Sequence, residues 1–204
     1  MKKMLGYDEI MQMEQRKRAQ FINSVGGFKS VCLIGTVDLS KRTNLAVFNS
    51  LVHIGANPPL ISFIMRPDSV ERHTLSNILE TGYYTINHIN QEIYKQAHQT
   101  SARYPKEVSE FDATGLSCEF KDGFAAPFVQ ESNVQLGVEF KQRIDLTINN
   151  TIMIIGQIQC IYFPEACLEE DGFLNIEKAG TVSCSGLDSY HTTTLLSRLP
   201  YAKP

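Results

Sequence analysis

Six polar or charged side chains crowd one short stretch of the chain: Arg66, Asp68, Ser69, Arg72, His73 and Thr74. The apolar run Leu60 to Met65 precedes them and reads as a strand, and a run of helical composition toward Glu80 follows. A strand-to-helix junction of this kind can bind a phosphate, because open helix N–H groups and cationic side chains converge there. Upstream, Asn44, Asn49 and Ser50 interrupt an otherwise apolar strand and offer hydrogen bonds to a flat polar heterocycle. An anionic tail beside a heterocyclic head describes a nucleotide, and one basic cluster suits one terminal phosphate. Two blander readings stand beside this one. From the residues alone, Asn49-Ser50 reads more simply as a β-bulge or a capped strand end. Arg72 to Thr74 likewise reads more simply as a solvated helix turn, with Asp68 as N-cap and Glu71 completing a capping box.

The elements that must position these residues are mostly strands. Phe28 to Asp38, Thr43 to Gly55, Leu60 to Met65 and Tyr83 to Asn87 are rich in β-branched and aromatic residues. Val134 to Leu146 and Thr151 to Phe163 predict a hairpin turning at Asn149-Asn150, a pair that tolerates left-handed backbone. Gly82 is placed to end the helix after Glu80. Short helical pieces are expected at Asp8 to Phe21, Gln91 to Gln99 and Glu107 to Phe111. Antiparallel strands with short inserted helices predict an α+β, mainly β class. No Gly-x-Gly-x-x-Gly follows a strand, and no phosphate loop ending in Gly-Lys-Ser/Thr is present, so a nucleotide would be bound in another way.

Composition narrows the classes further. A chain of 204 residues that is 43% hydrophobic can bury one proper core. A formal charge of −3 does not favour bulk nucleic-acid binding. No apolar run is long enough for a membrane helix, and Gly6 to Glu9 cuts short any signal-peptide core after Lys2 and Lys3, so a cytoplasmic protein is expected. The five cysteines include no Cys-x-x-Cys pair, which gives a disulfide framework or a metal site little support. Cys32 and Cys160 read as small core hydrophobes. Cys184, among polar neighbours, is the one to watch for redox reactivity, although the structural role is the simpler reading.

The Thr43 to His88 segment resembles the flavin reductase-like (flavoredoxin-type) family of FMN-binding split β-barrels. The resemblance continues through Ala97-His98-Gln99-Thr100-Ser101-Ala102-Arg103-Tyr104-Pro105, Ser109 to Asp112, Gly123-Phe124 with Ala126-Pro127, Gly186 to His191 and Arg198 to Pro204. It covers nearly the whole chain after about Phe28. It implies a six-stranded antiparallel Greek-key split barrel with short inserted helices. Residues 1–204 would form one FMN-binding domain, with 1–27 as an N-terminal helix or arm and 186–204 as an irregular tail. By the same resemblance, the flavin ring lies against Phe48, Asn49, Ser50 and Leu51 with Asn44 nearby. Some of Arg66, Ser69, Arg72, His73 and Thr74 hold the phosphate, and Ala97, His98, Ser101 and Ala102 cover the opposite side. It further implies NAD(P)H as reductant, a redox partner protein or oxygenase as acceptor, a homodimer with the flavin groove near the interface, and no catalytic acid, base or metal. A flavoredoxin-like carrier without nicotinamide activity and a non-catalytic flavin-binding protein are the alternatives.

Overall fold

The computed structural model describes residues 1–69 and 72–203. Two helices open the chain, α1 (Tyr7–Gln12) and α2 (Gln15–Val25). Strands β1 (Lys29–Ser30), β2 (Cys32–Val37), β3 (Thr43–Phe48), β4 (Val52–Ala56) and β5 (Pro59–Met65) follow. Helix α3 (His73–Thr81) leads into β6 (Tyr83–His88). Helices α4 (Tyr94–Gln99) and α5 (Glu110–Thr114) precede the short pair β7 (Cys118–Glu119) and β8 (Phe128–Val129). The long hairpin β9 (Gln135–Leu146) and β10 (Thr151–Tyr162) comes next, and β11 (Ser183–Ser185) and β12 (Ser189–His191) close the chain's regular structure.

Seven strands form one antiparallel sheet in the order β3-β2-β6-β9-β10-β5-β4, where six were expected. The extra strand comes from the Thr43 to Gly55 run, which breaks at Asn49 to Leu51. Its first half pairs with β2 and its second half with β5, at opposite ends of the strand order. The break explains how the sheet curls. Phe48 and Val52 are four residues apart and can be separated by at most about 14 Å. The two edges must therefore approach one another, which rolls the sheet into a barrel. Ser50 pins the crossing: its hydroxyl accepts from the Ile64 N–H and donates to the Ile64 carbonyl, both at 3.0 Å.

Two apolar clusters flank the sheet. One contains Ile34, Phe63, Tyr84, Ile86, Val138 and Ile154, and the other packs Leu33, Leu45 and Ile89 against Ala97 of α4 and Phe111 of α5. β2 is buried along its whole length because its alternating side chains serve both clusters. Gly82 ends α3 in the left-handed conformation, φ 77°, with its N–H on the Ile78 carbonyl. Asn150 at the β9–β10 turn is also left-handed, φ 58°. The segment from residue 186 is less irregular than expected, since Ser189–His191 pairs with β11. Among the described residues no helix is long and apolar enough to cross a membrane, and no cluster of metal-ligating side chains occurs.

Candidate functional site

A groove of about 880 Å³ runs along β3 toward the start of α3. Its volume falls in the upper part of the range for small-molecule sites, roughly 300–1,000 Å³. Ala46, Val47, Phe48, Asn49 and Ser50 line it from β3 and the strand break, and Ile64 and Met65 from the end of β5. Arg66, Arg72, His73 and Thr74 form a basic end, where β5 gives way to α3. His98, Ser101, Ala102, Arg103 and Tyr104 also line it, from α4 and the loop after it. Leu187, Asp188 and Tyr190 approach from the β11–β12 hairpin.

Helix α3 starts later than the sequence suggested. Its N-cap is Arg72 in extended backbone, and the Arg72 side chain makes no capping hydrogen bond. Asp68 is therefore not the N-cap. It is drawn away by Arg143, whose Nη2 donates to its carboxylate at 3.1 Å. Glu71, the other half of the expected capping box, lies outside the described residues. A helix start beside three basic side chains is an anion-binding arrangement. The Arg72 Nε donates to the Pro67 carbonyl at 3.3 Å, which braces the side chain without using its terminal nitrogens.

Beneath this end lies a buried polar network. The Asn44 carboxamide donates to the hydroxyls of Thr36 (3.3 Å) and Thr74 (3.0 Å), and Asn77 donates to Thr36 at 3.1 Å. Asn44 thus ties β3 to the first turn of α3 and fixes the Thr74 hydroxyl at the groove. Glu110 reaches in from α5 to accept from the Leu45 N–H at 2.9 Å. Burial raises its carboxyl above the usual range, while the Leu45 N–H and nearby His73 pull it back.

Three expected site residues do not line the groove. Leu51 packs, partly buried, against the barrel core, Ala97 of α4 is fully buried in the second apolar cluster, and Ser69 is exposed to solvent. The sequence had not singled out Tyr190, which also lines the groove, as a site residue. Its hydroxyl lies 3.2 Å from His98 Nδ1, with the rings edge to face. Burial, with Cys184 and Asp188 nearby, pushes this phenol up to about 12, so it stays protonated. Asn49 and Lys29 both donate to the Gly186 carbonyl, at 3.2 and 3.0 Å, and hold the β11–β12 turn beside the groove. Nothing local in the sequence marks Leu187, Asp188 or Tyr190 as neighbours of Asn49. The sequence reading puts the Gly186 to His191 segment in an irregular tail and gives it no place at the site.

Cys184 also reaches the groove, but burial raises its thiol against the opposing pull of Lys29 and Asn49. A protonated thiol is a poor nucleophile, which suits a structural role. The histidines divide similarly. His191 bonds Ser185 at 2.9 Å, and His88 bonds Thr181 at 3.1 Å. Burial lowers the His88 imidazole to about 4 from its ordinary 6.5. The unfolded chain therefore takes up this proton more readily than the folded one. Stability from the neutral ring is complete above about pH 6.5 and is lost as pH falls toward 4, by at most about 3 kcal/mol. Urea unfolding between pH 7 and 4 should show the decline, with a shallower slope in His88→Gln. An unchanged slope in that variant would clear His88 of responsibility.

The flavin reductase like domain profile matches residues 26–178, which spans β1 through β10 and the groove's basic end. The chain belongs to the flavin reductase-like family. A crystal structure of a candidate flavin reductase with a split barrel domain from Shewanella frigidimarina NCIMB 400 is 49% identical to it. That structure superposes with a TM-score of 0.95, covering 98% of this chain and 100% of the other. Nitrilotriacetate monooxygenase component B from Bacillus cereus shares the fold at 20% identity and TM-score 0.84, over 98% and 100% of the two chains. Flavoredoxin of Desulfovibrio vulgaris (Miyazaki F) does so at 21% identity and TM-score 0.75, over 86% and 92%. The flavin reductase-like chain is thus a mostly-β split barrel with a few helices.

Proposed function

We propose that this flavin reductase-like chain is an FMN-binding oxidoreductase that passes electrons from NAD(P)H to an acceptor such as a redox partner protein or oxygenase. The observation that carries the proposal is the start of α3 beside Arg66, Arg72 and His73 at one end of a groove large enough for a ligand of this class. These donors fit one terminal phosphate. Arg66, Arg72, His73 and the Thr74 hydroxyl would hold it, with Asn44 keeping the hydroxyl oriented. The β3 end from Phe48 to Ser50 offers a wall for a flat ring, and His98, Ser101 and Ala102 face it. When bound, FMN would accept a hydride from the nicotinamide and release electrons to the acceptor. The chain's own contribution is orientation and charge, and orientation alone can lower a barrier by roughly 7–11 kcal/mol. No acid, base or thiol is needed for that role.

A second copy of the chain is part of the proposal. α1 and α2 bury no residue, and Val25, Phe28, Leu196, Leu199 and Tyr201 are each more than half exposed. These exposed apolar side chains near both ends of the chain are expected to pack on a partner, with the groove near the interface.

One anaerobic experiment tests the set. The purified protein, loaded with FMN, is titrated with NADH and NADPH while the flavin absorbance band is followed. Bleaching by either nicotinamide is expected, and Cys184→Ala should stay within a few-fold of wild type, since tenfold would require about 1.4 kcal/mol. Light scattering on the same sample should read twice the chain mass of 23.0 kDa. A protein that takes up no FMN would end the proposal. FMN that binds but is reduced only by another redox protein would place the chain with flavoredoxin-like carriers.

A further inference from the structure

The approach to α3 carries a carboxylate where an anion site least wants one. Asp68 lies two residues after Arg66 and four before Arg72. Left unpaired, it would compete with a bound phosphate for these two arginines and repel the phosphate as well. The structure gives Asp68 a different partner from a distant strand. Arg143, on β9, lies across β10 from the end of β5, with Ile154 between them in register with both Arg143 and Phe63. Its side chain spans that gap to reach Asp68 at 3.1 Å. Asp145, two residues on and on the same face of β9, holds the guanidinium in place through Nε at 2.9 Å and Nη2 at 2.8 Å. The Arg143 side chain is about a third exposed, so the pair is neither fully buried nor free in solvent.

We propose that Arg143 is a positioning residue for the basic end of the groove: by engaging Asp68 it keeps that carboxylate from competing with a phosphate for Arg66 and Arg72. This rests on the reading that the basic end takes the phosphate of FMN. Arg143 itself is not among the groove's lining residues. Its influence is electrostatic and runs through Asp68. Exposed ion pairs contribute little to stability by themselves. The effect sought here is therefore on anion affinity, where an uncompensated charge two residues from Arg66 and four from Arg72 acts through space and is screened by salt.

The test measures dissociation constants for FMN and riboflavin on the full chain, as wild type, Arg143→Met, Asp68→Asn and the double variant, at low and high salt. Arg143→Met should weaken FMN by about three- to tenfold at low salt and leave riboflavin unchanged. The gap should narrow at high salt. Asp68→Asn should bind FMN at least as well as wild type, and the double variant should recover most of the loss. A purely mechanical tether would not be rescued by removing the second charge. Two results would overturn the inference: Arg143→Met with an unaltered FMN-to-riboflavin ratio, or a double variant as weak as Arg143→Met. Arg72→Ala serves as the reference. If Arg72→Ala discriminates FMN from riboflavin and Arg143→Met does not, only the role of Arg143 fails. If Arg72→Ala weakens both ligands equally, the phosphate reading fails and this inference falls with it.

Discussion

Replacing Gly35 by alanine is expected to destabilise the barrel by about 3 kcal/mol or more, the upper range for overpacking a tight core. Gly35 lies in the middle of β2, paired with Leu45 on one side and Thr85 on the other. A Cβ there would stand 2.3 Å from the Pro127 carbonyl oxygen and 2.6 Å from the Thr85 hydroxyl. Thr85 donates that hydroxyl to the same Pro127 carbonyl at 2.5 Å. The added methyl would therefore push a backbone segment away and break a buried hydrogen bond together. A backbone carbonyl between two structured segments cannot swing aside as a side-chain tip can. Against a typical total of about 5–15 kcal/mol, the loss is a large fraction of the chain's stability. Urea unfolding followed by circular dichroism would measure it. Gly55→Ala is the control: its nearest neighbour would be 3.7 Å away, an ordinary contact, so the change should stay within about 0.5 kcal/mol. If the two variants unfold alike, the close approach of Pro127 to β2 is wrong.

Arg72→Ala should separate FMN from riboflavin. The two ligands share a ring and a ribityl chain and differ by the phosphate. A charge-assisted hydrogen bond to that phosphate is worth roughly 1.5–3 kcal/mol, so FMN should weaken about 10- to 150-fold. Riboflavin should change little. Arg72 is the better choice than Thr74, because Thr74→Ala also leaves the Asn44 carboxamide short of a partner. The brace from Arg72 to the Pro67 carbonyl is lost for both ligands, so the ratio of affinities isolates the phosphate term. Fluorescence titration with each ligand provides the measurement. Equal losses would mean that the basic end of the groove holds no phosphate.

Much of the local structure was legible from residue order. The β9–β10 hairpin appeared within a residue or two of its final bounds, because alternation and an Asn-Asn turn are local signals. Gly82 at the end of α3 is likewise a local requirement, since only a residue tolerant of positive φ ends a helix that way. The basic residues before α3 were legible as a potential anion site because the chain itself brings them together.

What tertiary structure decided is the set of partners. Whether Asp68 caps a helix or pairs with Arg143 depends on a strand 75 residues away. Leu51 and Ala97 were drawn into the core because the strand break and α4 turn their apolar side chains away from the groove. The division of Thr43 to Gly55 into β3 and β4 gave a seventh strand and brought the sheet's edges together. Ser50 was spent on joining that break, and Asn49 on holding the Gly186 turn. Side-chain type records what a residue can bond, and within one short segment it also records with whom. Across 75 or 137 residues, register and sheet curvature select the partner, and neither is written in any local window.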